Sequence, residues 1–339
     1  GDAGRPHSWC SRGWRRSAET SRTRRPARWN AAPSSRTVVA ASAPSRALAI
    51  EVLSNRADLV SGGDVLLAVP VPASVDPAKV RVLVGDRDVT SAFTVQGSRL
   101  VGLVDGLALG DNVIRARAGA WSGERVVTNH PNGGPIFSGP QHEPYRCQAT
   151  AVDDKCNEPA RYSYFYKSTD PMNPDLQPYD PDNPPEDVAT TTTDEGETVP
   201  FIVRREDGFQ ARDRYSILTL FTPGEEWSAT APQQQWNHKV LITHGGGCGA
   251  SYAPAEPPLE DASGTLDAIP VPLLENSYVE ALRRGFAVMS TALANTGHNC
   301  NVAHNAESLM MAKERLVERY GTIRYTIGTG CSGGSVAQH

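Results

Sequence analysis

Gly328-Thr329-Gly330-Cys331-Ser332-Gly333-Gly334-Ser335 is the stretch on which the reading of this chain turns. Gly330 to Gly334 fits G-x-S-x-G, the pattern of a serine lifted on a sharp strand-to-helix turn. Such a turn brings backbone segments too close for a Cβ, which is why glycines flank the serine. The context agrees. Ile323-Arg324-Tyr325-Thr326-Ile327 is a short β-prone run directly upstream, and Ser335-Val336-Ala337-Gln338 can open a helix downstream.

About ninety residues earlier, Lys239-Val240-Leu241-Ile242-Thr243 reads as a strand. It runs into His244-Gly245-Gly246-Gly247-Cys248-Gly249, an HGGG-type loop. Backbone N–H groups of Gly246 and Gly247 in such a loop, with that of Gly333, are suited to holding a developing oxyanion. Between the two motifs lie a helix signal over 276–284 closed by Gly285, a buried-strand run Phe286-Ala287-Val288-Met289-Ser290-Thr291, and an amphipathic stretch from Ala306 to Tyr320 closed by Gly321. Alternation of strand and helix predicts an α/β-hydrolase with a doubly wound sheet, incomplete at its carboxyl end.

Upstream, residues 47–128 carry short β-branched runs over 49–53, 65–69, 80–84 and 112–117. Ser61-Gly62-Gly63-Asp64, Gly85-Asp86 and Gly110-Asp111 separate them. This spacing predicts a small all-β immunoglobulin-like domain, either a spacer or a binder of polymeric substrate. Residues 129–199 read as a Pro/Asp-rich linker or loop, with six prolines between Pro171 and Pro185. The runs 198–204 and 214–221 look like an antiparallel pair with Glu206-Asp207-Gly208 in their connection, and residues 200–339 read as the amino-terminal part of the hydrolase domain.

Charge is unevenly spread. The chain's net charge is −5; ten of its 33 basic residues and only two of its 38 acids fall in residues 1–46, leaving 23 basic against 36 acidic residues beyond. The acidic body argues against nucleic acid as a partner. The Arg-rich segment 1–46 reads as a disordered or targeting leader outside the fold. No run of eighteen apolar residues exists, so no membrane-spanning segment is expected.

Six cysteines are present. Cys147 and Cys156, nine apart in a loop-like stretch, suit a small disulfide loop. Cys248 and Cys300 sit in loops that should emerge at one edge of the sheet, which suggests a second bridge. This usage predicts a secreted or periplasmic protein; the alternative is buried free thiols in a cytosolic enzyme. His298, Cys300 and His304 form H-x-C-x₃-H, too few ligands for zinc in an oxidising compartment. The Asp-rich loop 179–187 lacks calcium-loop spacing. No metal or cofactor is expected. His244, Cys248 and His298 are candidate substrate-binding residues at the mouth of the site, and His339 lies too close in sequence to Ser332 to serve as its base.

Gly330-Cys331-Ser332-Gly333-Gly334, with cysteine just before the serine, resembles the tannase and feruloyl-esterase group. Together with 54–64 and the Thr243–Cys248 run, it resembles more closely a family of secreted bacterial hydrolases of unknown function over residues 48–339. The resemblance implies an α/β-hydrolase with an amino-terminal β-domain, a serine esterase, and a disulfide from Cys331 to a cysteine beside the catalytic histidine. The acid and histidine that follow the serine in that group have no counterpart after Ser332, so the chain reads as a truncated fragment, inactive alone. The expected substrate is a small-molecule or polymeric carboxylic ester attacked by Ser332. Amidase or peptidase chemistry, or a non-catalytic secreted binding or structural module with a remnant hydrolase part, are the alternatives.

Overall fold

The computed structural model describes residues 46–259 and 276–339; all but the last residue of the leader read over 1–46 lies outside them. Residues 46–339 form one compact unit.

The amino-terminal part is two sheets over one core. One has the order β1 (Glu51–Val52), β3 (Val65–Pro70), β7 (Arg99–Val104), β6 (Phe93–Gln96). The other runs β2 (Val60–Ser61), β9 (Trp121–His130), β8 (Gly110–Ala118), β4 (Arg81–Val84), β5 (Arg87–Asp88). Side chains alternate across β3 with a period of two. Val65, Leu67 and Val69 enter the core between the sheets with Val82, Leu100, Ile114 and Val127. Leu66 and Ala68 point the other way, onto Val101 and Val317. Both faces of β3 are therefore buried, and its sequence is a continuous apolar run rather than an alternating one.

A seven-stranded sheet forms the second layer. Its order is β11 (Leu176–Pro178), β10 (Arg161–Lys167), β14 (Ile202–Gln210), β15 (Asp213–Leu220), β17 (Ala287–Thr291), β16 (Lys239–Thr243), β18 (Tyr325–Thr329). β12 (Thr190–Thr192) and β13 (Thr198–Pro200) pair separately. Helix α1 (Ser277–Arg283) packs its Val279 and Leu282 on one face of the large sheet, against Phe201, Val203, Leu218 and Val288. Helix α2 (Val302–Tyr320) packs Ala312, Leu316 and Tyr320 on the other, against Tyr215, Ile217, Ile242 and Met289. Asn301 caps α2 by accepting from the amides of Ala303 and His304.

This architecture corrects the expected fold class. The described residues are dominated by strands, with only three α-helices, the third being the short α3 (Gly333–Ala337). The large sheet is mixed: β11, β10, β14, β15 and β17 pair antiparallel in succession, and only β17, β16 and β18 are parallel. It is not the doubly wound sheet of an α/β-hydrolase. The reason is local. Ala211 and Arg212 adopt φ of 52° and 71°, a tight two-residue turn that folds β15 straight back on β14 over eight register pairs. Glu206-Asp207-Gly208 thus lie within a strand instead of connecting two. The immunoglobulin-like expectation is not supported either. β2 pairs β9 in parallel, and β3 buries its second face on α2. Turn spacing announces short strands but not which of them pair.

Buried charge ties α2 to the large sheet. The Glu206 carboxylate is fully buried and accepts from Tyr215 Oη, Tyr320 Oη and Arg315 Nε, each at 2.8 Å. Burial works against its charge, but Arg315 and these hydrogen bonds outweigh it and hold its pKa below the usual range. Arg315→Ala should strand this carboxylate and cost about 3–5 kcal/mol in urea unfolding at neutral pH. The penalty should shrink as pH falls through the carboxylate range and Glu206 takes up a proton.

Candidate functional site

Three loops meet at the carboxyl ends of β16, β17 and β18. The loop after β18 holds Ser332, an exposed residue with φ 54° and ψ −118° that precedes α3. A non-glycine residue in this region is held there by its surroundings. Ser335 Oγ and Gln338 Nε2 donate to the Gly330 carbonyl, and the Gly334 amide donates to the Cys331 carbonyl. Cys331 is a free, exposed thiol.

The glycines are required by contact with the neighbouring loop. A Cβ on Gly333 would lie 2.2 Å from the Gly247 carbonyl oxygen and 2.3 Å from Thr296 Oγ1. One on Gly334 would lie 2.9 Å from the Gly245 oxygen. The turn is thus pressed onto the His244–Gly247 backbone, and the His244 amide donates to the Thr329 carbonyl at 3.0 Å. The third loop, 295–300, closes the group. Thr296 Oγ1 donates to the Gly245 carbonyl, the Gly249 amide donates to the Thr296 carbonyl, and the Cys300 amide donates to the Gly249 carbonyl. The Cys248–Cys300 disulfide spans the same two loops, and Cys147–Cys156 closes a separate nine-residue separation.

The structure brings Ser332, Gly333 and the Gly245–Gly247 backbone together. It places the other sequence candidates differently. The His244 ring is buried; its hydrogen bond is to the Ala294 backbone, its Nδ1 has no partner, and burial lowers its pKa, keeping it neutral. Cys248 is committed to its disulfide. His298 is buried, with Nε2 2.7 Å from Asp213 Oδ2. That carboxylate also accepts from Tyr145 Oη at 3.0 Å and from the amides of Arg214 and Ala255. Burial, then the Asp213 charge, push the Tyr145 phenol above its ordinary range, so it remains a donor. No signal in the sequence pointed to Asp213, Tyr145 or Thr296. They come from three separate segments that only folding collects. Among the described residues no hydrogen bond joins a histidine to Ser332.

This chain belongs to a tannase-like family of unknown function (DUF6351), whose profile matches residues 50–339. A search of curated proteins finds no match. No helix among the described residues is long and apolar enough to cross a membrane.

The disulfide should carry much of the loop assembly's stability. Replacing both Cys248 and Cys300 by alanine releases a constraint across 52 residues. By chain entropy this should cost about 2–4 kcal/mol. The check is urea unfolding of the oxidised protein beside the double variant, with proteolytic nicking in 295–300 as the local reading.

Proposed function

We propose that the chain carries the nucleophile of a serine hydrolase acting on carboxylic esters. The observation that carries this reading is Ser332: an exposed hydroxyl on a left-handed residue between a strand and a helix, pressed by its glycines onto the Gly245–Gly247 backbone. Membership of a tannase-like family supports the ester class. In this reading Ser332 Oγ attacks the ester carbonyl. The Gly333 amide and the Gly246/Gly247 backbone hold the oxyanion, the acyl–Oγ bond forms as the ester C–O bond breaks, and the alcohol leaves carrying the proton that Ser332 Oγ gives up.

His244 and His298 have other roles in this reading. The first shapes the glycine loop and the second, with Asp213 and Tyr145, braces the wall beside it. Neither is assigned as the base. Slow acylation without efficient turnover is therefore the expected behaviour of these residues alone. The two disulfides support an oxidising, extracytoplasmic setting.

The test is to incubate the full chain with p-nitrophenyl acetate and map acetyl groups by mass spectrometry. A single acetyl on Ser332 is expected, absent from Ser332→Ala. Gly333→Ala should slow its appearance by about 10²-fold or more, because the displaced turn misaims its amide. Acetylation confined to lysines or tyrosines would sink the proposal in favour of a non-catalytic module. Equal reactivity toward an anilide would move it to amidase chemistry.

A further inference from the structure

Helix α2 carries buried acids of its own, apart from Glu206 of β14, that the ester chemistry does not use. Glu314 and Glu318 are 1% and 3% exposed. They lie one turn apart on the face turned toward the amino-terminal sheets. Glu314 Oε1 accepts from the Ser61 amide at 2.6 Å, and Oε2 accepts from Asn55 Nδ2 at 2.9 Å and Ser61 Oγ at 3.2 Å. Glu318 is hydrogen-bonded by Ser54, whose hydroxyl also accepts from the Leu66 amide at 2.6 Å. Its Oε1 is buried with no hydrogen-bond partner. Asp64 completes the group and is paired with Arg319 at 2.8 Å.

Among the described residues the cations nearest Glu314 and Glu318 are already paired, although the Arg319 charge still draws on Glu318. Arg315 is committed to Glu206 and Arg319 to Asp64. Asp64, Glu318 and Arg319 also line a cavity of about 450 Å³, together with Asp105 and Glu158. On the outer side of 54–64, Arg56 pairs with Asp58, and His130 Nε2 meets the Asp58 carbonyl at 2.9 Å. Among the described residues these acids are not arranged to hold a metal ion.

We propose that Asp64, Glu314 and Glu318 form a proton-operated latch, which holds residues 54–64 against α2 while the acids retain protons and loosens when they ionise together. The unpartnered Glu318 oxygen carries the argument. A buried carboxylate oxygen without a donor is tolerable as a neutral acid and costly as an anion beside two more carboxylates. Each of these contacts of Glu314 survives protonation, since Oε2–H can donate to Ser61 Oγ.

Burial pushes Glu314 up to about 7. Burial, then the charges of Asp64 and Glu314, push Glu318 up, and burial raises Asp64 against the pull of Arg319. The folded state therefore keeps protons that an unfolded chain releases above roughly pH 4.5. Stability falls as pH rises from there through about 7. This goes beyond the ester chemistry and does not depend on it.

The experiment follows amide exchange over 54–64 in the full chain between about pH 5 and pH 8, with rates divided by the intrinsic exchange rate. Protection of the Ser61 amide should fall at least about tenfold across this range, the equivalent of one pKa unit of proton linkage. Glu314→Gln/Glu318→Gln should remove most of the fall, and His130→Gln should leave it in place. If the double variant does not fold, Glu318→Gln alone should reduce the fall, with Glu314 left to titrate by itself. A flat profile in the parent chain overturns the latch, as does a fall undiminished by Glu318→Gln or by the double variant, or one that vanishes with His130→Gln. Recovery of protection at pH 8 on adding calcium would also overturn it, replacing protons by a metal.

Discussion

Helix α2 is the element on which both layers depend, and Glu206 is what fixes its rotation. A fully buried carboxylate must be met by donors, and here Arg315 and Tyr320 from the helix join Tyr215 from β15 in meeting it. That geometry admits one rotation of the helix. With it set, Leu316 and Tyr320 face the large sheet while Val317 faces Leu66 and Ala68 of the amino-terminal sheets. A helix that carries apolar contacts on two sides reads as less amphipathic than its burial warrants. Its acids at 314 and 318 are buried for that reason.

The same helix links structure to chemistry. Its amino terminus begins just after Cys300, whose disulfide and amide hold the 295–300 loop to the glycine loop at 244–249. Ser332 is then held from one side by its own turn and from the other by those two loops. None of these loops has enough apolar surface to be rigid alone. Interlocking glycines, which allow backbone to touch backbone, supply the order that side-chain packing supplies elsewhere.

The two carboxylate groups that meet α2, Glu206 from β14 and Glu318 from the helix itself, show how little a buried acid's identity says about its state. Glu206, met by Arg315 and two phenols, is driven toward the ionised form. Glu318, with one hydroxyl partner and two acidic neighbours, is driven toward the neutral form. Burial opposes charge in both cases, and the partners decide which effect wins.

What the sequence by itself determined is local: the glycine-flanked serine, the glycine loop after a strand, the helix ends at Gly285 and Gly321, and the short strands of the amino-terminal part. Each rests on a backbone preference or an apolar period that a few residues suffice to express. What only the tertiary structure decided is pairing. The antiparallel pairing of 198–204 with 214–221 is legible in the sequence, but its turn at Ala211-Arg212 is not, nor is the antiparallel pairing of β15 with β17, which makes the sheet mixed rather than doubly wound. The Asp213–His298–Tyr145 group and the acids beneath 54–64 likewise join residues far apart in the chain. Such contacts leave no local signature, because the energy that selects them arises only once water has been excluded from between the layers.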